Sequence, residues 1–306
     1  MLRITADVFS GRPDPSWIIA DEAEARATLR ELTKERSLLT EAAPATAGLG
    51  FRGLRVEALT DELATDFGLD APAFLPGGAG APGRVRELTE RLIGLIGKAE
   101  AAAPEGEAEA LPVDTALQDF LAAQAERTSR VTATDGVAAE AQAEAGEALP
   151  VEASCPIELG AFNPGFWNND PNIRARNNCY NYASNKRTDS FAQPGRGCGN
   201  IYKAITCAEV TRASLCDGLR RRFNCFPDSE KPRYLVALVV APGPGFVDFH
   251  WYRRHKEGFW GHKPGGTAAR NTDNSNRVIH NPETCNRGPY TQFCGYFYTC
   301  RSQRIR

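Results

Sequence analysis

No stretch of this sequence is apolar for long enough to cross a membrane, because a spanning helix needs about 18 consecutive apolar residues. The longest apolar run covers residues 234–241, and the proline and glycine residues after it end the run. The amino terminus lacks the apolar segment of a secretory signal peptide. We therefore expect no membrane partner and a cytoplasmic location, although the nine cysteines leave an oxidising compartment open.

The sequence also lacks the short motifs of several enzyme and metal-binding classes. It contains no Walker A motif, no His-Glu-x-x-His and no Gly-x-Ser-x-Gly. It has no Cys-x-x-Cys pair, and the spacing of its cysteines fits no zinc template. Cys207 and Cys216 fall in one predicted helix, where nine residues turn two side chains to opposite faces. We expect no metal and no cofactor, and structural thiols or a few disulfides for most cysteines.

Charge is distributed unevenly along this chain, although its overall net charge is only −2. Residues 1–100 have a net charge of −4, residues 101–154 one of −9, and residues 155–306 one of +11. All cysteines and histidines fall in the last segment. This division predicts a small N-terminal α/β module, an acidic Ala/Glu-rich linker and a basic, cysteine-rich domain. The linker is either a solvated spacer with one helix at 114–127 or a strip that folds back on the basic domain.

The hydrophobic periodicity predicts the order of the secondary-structure elements. The first segment contains predicted strands at 2–9 and 51–59 and predicted helices at 21–39 and 84–98. The last segment contains predicted helices at 178–186 and 201–222, followed by strands at 233–241, 246–254, 259–263, 276–280 and 292–301. Helices that precede an antiparallel sheet define an α+β domain.

Cys179 is the candidate nucleophile, because it falls at the predicted start of a helix. The unpaired N–H groups at such a position lower the pKa of a thiol. Arg174 and Arg176 act in the same direction. A thiol with a lowered pKa attacks carbonyl groups readily, which is the basis of covalent catalysis by cysteine. The alternative is a buried structural thiol.

His250 is the candidate base, and it lies on a predicted strand of the same domain. His262 falls on the partner strand of a predicted hairpin and could orient His250 through a ring nitrogen. Asp273 is a rival orienter, and Asp248 a weaker one. A turn centred on residues 256–257 would point the two imidazoles to opposite faces, whereas a shift of one residue would place them on the same face.

This order of a cysteine at a helix start and a histidine-bearing sheet resembles the papain-like superfamily, in particular its NlpC-type and CHAP branch. The resemblance covers about residues 170–300. The strings around Cys179, His250 and residues 261–266 also resemble an uncharacterised bacterial family. The resemblance implies a papain-like C-terminal domain in which Cys179 is the nucleophile, His250 the base and His262 the orienter. The polar residues that follow Cys179 depart from the papain pattern.

Two functions follow from these observations. The first is a cysteine hydrolase or acyltransferase that acts on an amide bond of a peptide or protein through a thiolate acyl-enzyme. The second is a non-catalytic binding module with structural cysteines that recognises an anionic peptide or nucleic acid. Basic residues alternate with aromatic ones around Arg253 and Trp260, a pattern that can bind nucleic acid, although we do not favour that partner. The sequence makes no prediction of the oligomeric state.

Overall fold

Two antiparallel sheets of five strands each form the framework of the described part of the protein. A computed structural model describes residues 1–44, 47–77, 81–96, 99–102, 114–127 and 155–306. Helices accompany both sheets, which confirms the α+β class expected from the sequence.

The first sheet has the strand order β4-β3-β1-β2-β5. Its strands are β1 (Leu2–Asp7), β2 (Ser16–Ile19), β3 (Gly53–Ala58), β4 (Ala73–Pro76) and β5 (Glu100–Ala102). Side chains alternate between the two faces of β1, because successive residues of a strand point in opposite directions. Leu2, Ile4 and Ala6 are fully buried, whereas Arg3 and Thr5 face the partly exposed side.

Three helices accompany the first sheet: α1 (Glu22–Lys34), α2 (Asp61–Phe67) and α3 (Gly83–Gly94). The Asp21 side chain accepts a hydrogen bond from the Glu24 N–H at 2.7 Å and so caps α1. The buried residues Ala25, Leu29 and Leu32 recur at helical intervals, which explains why this segment forms an amphipathic helix.

The helix predicted within the acidic linker is present as α4 (Thr115–Arg127). Its Leu117, Leu121 and Ala125 are buried in the same hydrophobic cluster as the side chains of the first sheet. Residues 103–113 and 128–154 of the predicted linker lie outside the described residues, so the choice between a solvated spacer and a strip that folds back stays open there.

The second sheet has the strand order β6-β10-β7-β8-β9. Its strands are β6 (Arg220–Arg221), β7 (Leu235–Pro242), β8 (Val247–Arg254), β9 (Trp260–His262) and β10 (Gln292–Tyr298). Residues 236–241 of β7 are all buried, as expected of a central strand that is covered on both faces.

Four helices accompany the second sheet: α5 (Gly165–Asn168), α6 (Pro171–Arg176), α7 (Cys179–Ser184) and α8 (Cys207–Cys216). The prediction of one long helix over 201–222 was wrong in extent. Thr206 caps the helix by accepting the Glu209 N–H, and Gly218 has a φ of 107°, a left-handed conformation that follows its end. No helix in the described ranges is long and apolar enough to cross a membrane.

The strand predicted at 276–280 is absent, and a series of turns occupies that position. One carboxylate oxygen of Asp273 accepts the backbone N–H groups of Ser275 and Arg277, at 2.8 and 3.0 Å. A side chain that binds nearby backbone groups in this way favours a turn over an extended strand.

Three disulfides stabilise the second half of the chain, and they link Cys155 to Cys225, Cys198 to Cys216, and Cys207 to Cys294. The two cysteines of α8 therefore have different partners, as the helical spacing predicts. Cys179, Cys285 and Cys300 are free thiols. Disulfides of this number indicate an oxidising setting, so the expectation of a cytoplasmic location is not supported.

One face of the second sheet shares a hydrophobic cluster with the first sheet, whereas its other face packs in a second cluster with α7. The ring of Phe246 lies at centroid distances of 5.6 Å from Phe9, 5.4 Å from Phe120 and 5.2 Å from Tyr290. These aromatic rings come from the first segment, from α4 and from the last segment. The boundaries of the three predicted segments stay a prediction.

The central position of Phe246 leads to a stability prediction. We expect Phe246→Ala to lower the free energy of unfolding by about 3–5 kcal/mol, because it leaves a cavity between three packed elements. Urea unfolding followed by tryptophan fluorescence measures this change. Phe223→Ala is the matched control, since that ring is 64% exposed and its loss should change stability little. Equal stability of the two variants would contradict a shared core.

Candidate functional site

Cys179 is the first residue of α7, where the sequence analysis placed a helix start. The Asn178 side chain accepts the N–H groups of Tyr180 and Asn181, at 3.0 and 3.1 Å, and the Asn181 side chain accepts the Asn178 N–H in return. This reciprocal cap explains why the helix begins there. The Cys179 side chain is fully buried, and its Sγ lies 3.8 Å from the carbonyl oxygen of Phe249.

The electrostatic environment of Cys179 is the opposite of the one expected from the sequence. Burial raises the pKa of the Cys179 thiol well above its usual value, and the nearby Asp248 carboxylate raises it further. The positive charge of Lys263 lowers the pKa, but it does not outweigh burial. The thiol is therefore protonated at neutral pH, whereas a nucleophile needs the thiolate.

His250 and His262 lie on the same face of the second sheet. Strand β9 pairs with β8 so that His262 lies opposite Tyr252, one residue away from the register of a turn centred on 256–257. The Nε2 atom of His250 is 2.8 Å from Nδ1 of His262. The Nε2–H of His262 donates to the carbonyl oxygen of Thr272 at 2.9 Å, so its Nδ1 accepts a hydrogen bond from the Nε2–H of His250.

His250 and His262 are hydrogen-bonded to each other, but Cys179 lies on the opposite face of β8. Cys179 packs in a cluster with Phe249 and Trp251, whose side chains point toward α7. His250 alternates with these residues along the strand and contacts the ring of Tyr290 on the other face, at a centroid distance of 5.6 Å. The backbone of β8 thus separates the thiol from the imidazole, and the catalytic roles of these residues stay predictions.

Asp273 is not bonded to either histidine within the described residues. Besides binding Ser275 and Arg277, its carboxylate accepts the Asn286 N–H at 2.9 Å. The group that orients His262 is the backbone carbonyl of Thr272. Sequence reasoning could not identify this group, because every residue has a carbonyl.

Asp248 joins the two sheets through its carboxylate. That carboxylate accepts the backbone N–H groups of Ser10 at 2.6 Å, Gly11 at 3.2 Å and Arg12 at 2.9 Å, together with the hydroxyl of Tyr290. Burial raises the pKa of Asp248 above its usual value, and the hydrogen bonds from Tyr290, Ser10 and Arg12 offset only part of this effect. The sequence analysis singled out Asp248 only as a weak orienter of His250.

The loop at residues 10–12 covers the start of α7. The carbonyl oxygen of Gly11 accepts Nδ2 of Asn178 at 2.7 Å and Nε2 of Gln193 at 2.8 Å. A Cβ atom on Gly11 would lie 2.5 Å from the carbonyl oxygen of Phe249, so only glycine fits there. This loop therefore shields Cys179 from solvent.

Buried histidines are held in their neutral form. Burial, with a contribution from Arg270, lowers the pKa of His262 to about 3. Burial and Arg253 lower the pKa of His255, which bonds the Tyr182 hydroxyl at 2.7 Å, to about 4. The pKa of His250 is lowered well below its usual value for the same reason. No group of three or more His, Cys, Asp or Glu side chains in the described ranges is arranged to hold a metal ion.

These features define a disulfide-stabilised α+β protein in which a polar, buried contact joins two sheets. Neither a family model nor a solved structure matches the chain. Over 135 residues, which are 44% of this chain and 86% of the relative, the sequence is 49% identical to insoluble matrix shell protein 1 of Ruditapes philippinarum. The chain therefore belongs to the family of that shell matrix protein.

The Asp248 contact can be tested through stability and thiol accessibility. We expect Asp248→Asn to lower the free energy of unfolding by about 2–4 kcal/mol, because buried N–H groups lose a charged acceptor. The loosened loop should also speed alkylation of Cys179 by iodoacetamide under native conditions. In the parent protein, we expect the half-buried Cys285 to react before Cys179.

Asp273→Asn is the matched control, because its carboxylate also binds three backbone N–H groups. It should lower stability without exposing Cys179. Peptide mass mapping of the alkylated sites distinguishes the two variants. An unchanged rate at Cys179 in Asp248→Asn would mean that this contact does not hold the loop.

The lowered histidine pKa values predict a loss of stability in acid. Below pH about 6.5 the unfolded chain protonates these imidazoles, whereas the folded chain does not until about 3–4. Stability should fall through this range by up to about 1.4 kcal/mol per pH unit for each histidine. Urea midpoints at several pH values measure the slope. We expect His255→Gln to make the dependence of stability on pH less steep. His280→Gln, a change at an exposed position, is the control and should leave that slope as in the parent. Equal slopes in the parent and both variants would refute the role of His255.

Proposed function

We propose that this protein is a non-catalytic structural and binding component of an extracellular matrix. Its relative is by name an insoluble matrix protein of a shell, and the chain spans 86% of that relative. The three disulfides suit a protein that acts in an oxidising environment. The proposal corresponds to the binding-module alternative of the sequence analysis.

The separation of Cys179 from His250 is the observation that carries this proposal. Amide hydrolysis by cysteine requires a thiolate and a base within hydrogen-bond reach. Here β8 lies between the two side chains, the pKa of the thiol is raised, and residues 10–12 cover it. Cys179 then acts as an apolar packing residue, which is the common role of a buried thiol.

A papain-like amide hydrolase is the competing proposal. It is favoured by one observation, namely that Cys179 stays unpaired and begins a capped helix while six other cysteines form disulfides. Displacement of the loop at residues 10–12 would expose the thiol, but it would not bring His250 to the same face of the sheet. A hydrolase would therefore need a different base.

The two proposals predict different behaviour of Cys179→Ser. We expect this variant and the parent to co-sediment equally with insoluble matrix from Ruditapes philippinarum shell, because a hydroxyl of similar size preserves the packing. Reduction of the disulfides should weaken the co-sedimentation of both, since the second sheet loses its covalent links. The amount of protein in the pellet measures these effects.

A peptide amide substrate mixture incubated with both proteins is the control for catalysis. We expect no product that depends on Cys179, as judged by mass spectrometry of the peptides and of the protein. A product or an acylated Cys179 in the parent, absent from Cys179→Ser, would overturn the non-catalytic proposal in favour of the hydrolase.

A further inference from the structure

A groove of about 490 Å³ lies between the first sheet and the segment that leads into α7. Its floor is the outward face of β1, β2 and β3, and its opposite wall includes the end of α6. The lining residues that matter for recognition are Arg3, Asp14, Arg55, Glu57, Arg176 and Phe191.

The groove is preformed by elements that are fixed on both sides. In its floor, Thr5 lies opposite both Ser16 and Arg55 in the paired strands. In its wall, the buried Nζ of Lys263 donates to the carbonyl oxygens of Arg174, in the last turn of α6, and of Asn177, which follows that helix. Asp248 then holds the loop between β1 and β2 against the second sheet. A preformed site avoids the entropic cost of ordering on binding.

Three guanidinium groups line the groove, and two of them are free to bind a ligand. Arg3 is paired with Glu57 at 3.1 Å. Arg55 and Arg176 are exposed, and neither forms an ion pair with another described residue. Arg55 belongs to the floor on β3 and Arg176 to the end of α6 in the wall, and both line the same groove, so one ligand can contact both. Guanidinium groups bind carboxylates and phosphates through paired hydrogen bonds.

The acidic residues of the groove favour a peptide over a uniformly charged polymer. Glu57 lies beside the arginines, and the Asp14 carboxylate accepts the N–H groups of Val8 and Phe9. The Glu57 carboxylate would repel the regularly spaced phosphates of a nucleic acid. Burial and the neighbouring Asp7 raise the pKa of Asp14 to about 8, so Asp14 adds little negative charge at neutral pH. A peptide can place its carboxylates at the arginines and neutral residues elsewhere, and Phe191 offers an apolar surface for them.

We propose that this groove binds an extended acidic peptide segment of another matrix component, with Arg55 and Arg176 as its carboxylate contacts. The proposal rests on the non-catalytic binding function proposed above and names the class of partner. It predicts binding that weakens with added salt, because both arginines are exposed to solvent.

Fluorescence anisotropy of a labelled peptide of alternating aspartate and glycine, titrated with the full chain, tests the proposal. We expect Arg55→Gln and Arg176→Gln each to weaken binding by about 3- to 10-fold, since each removes one charged contact. Arg221→Gln is the matched control: this arginine is also exposed but lies on β6, and its loss should not change affinity. Circular dichroism checks that all variants are folded.

Three outcomes would overturn the proposal. One is an equal loss of affinity in Arg221→Gln, which would indicate attraction to the basic domain as a whole. Another is an oligothymidylate of equal charge that binds as tightly and depends on the same two arginines, which would make nucleic acid the ligand. The third is no change in anisotropy in the parent. In the last case the proposal for the groove would be wrong, while the non-catalytic function would still be tested separately by the comparison of Cys179→Ser with the parent.

Discussion

The buried carboxylate of Asp248 is the interaction on which the arrangement of the two sheets depends. It accepts three consecutive backbone N–H groups from the loop between β1 and β2, although Asp248 and Ser10 are 238 residues apart in the chain. A buried carboxylate is costly unless its oxygen atoms are bonded, and the loop N–H groups are equally costly without an acceptor. Each partner therefore requires the other, and the loop is held over α7 as a result.

This contact also determines what the thiol can do. A helix start lowers the pKa of a cysteine only if the thiolate is solvated or paired, and residues 10–12 exclude solvent from Cys179. The effect of burial on the pKa of Cys179 therefore outweighs the effect of the helix N-terminus. The local sequence around Cys179 predicts a reactive thiol. Because the loop at residues 10–12 covers it, Cys179 is instead buried in a hydrophobic cluster.

The sequence predicts the elements with strong local signals and misses what depends on distant contacts. The apolar run of β7, the start of α7 near Cys179 and the helix α4 within the acidic linker were all predicted, because hydrophobic periodicity and helix-start signals act within a few residues. The pairing of His250 with His262 depended on a single residue in a turn. Packing on both sides of the second sheet determines which side chains of β8 face α7 and which face the first sheet. It therefore also determines the separation of Cys179 from His250.

The disulfides have a consequence for resistance to proteolysis. The bond from Cys155 to Cys225 overlaps with the bond from Cys207 to Cys294, so together they bridge every peptide bond between residues 155 and 294. A protease that cuts once within this region leaves both fragments covalently attached. The domain can therefore lose the continuity of its backbone and still remain one molecule.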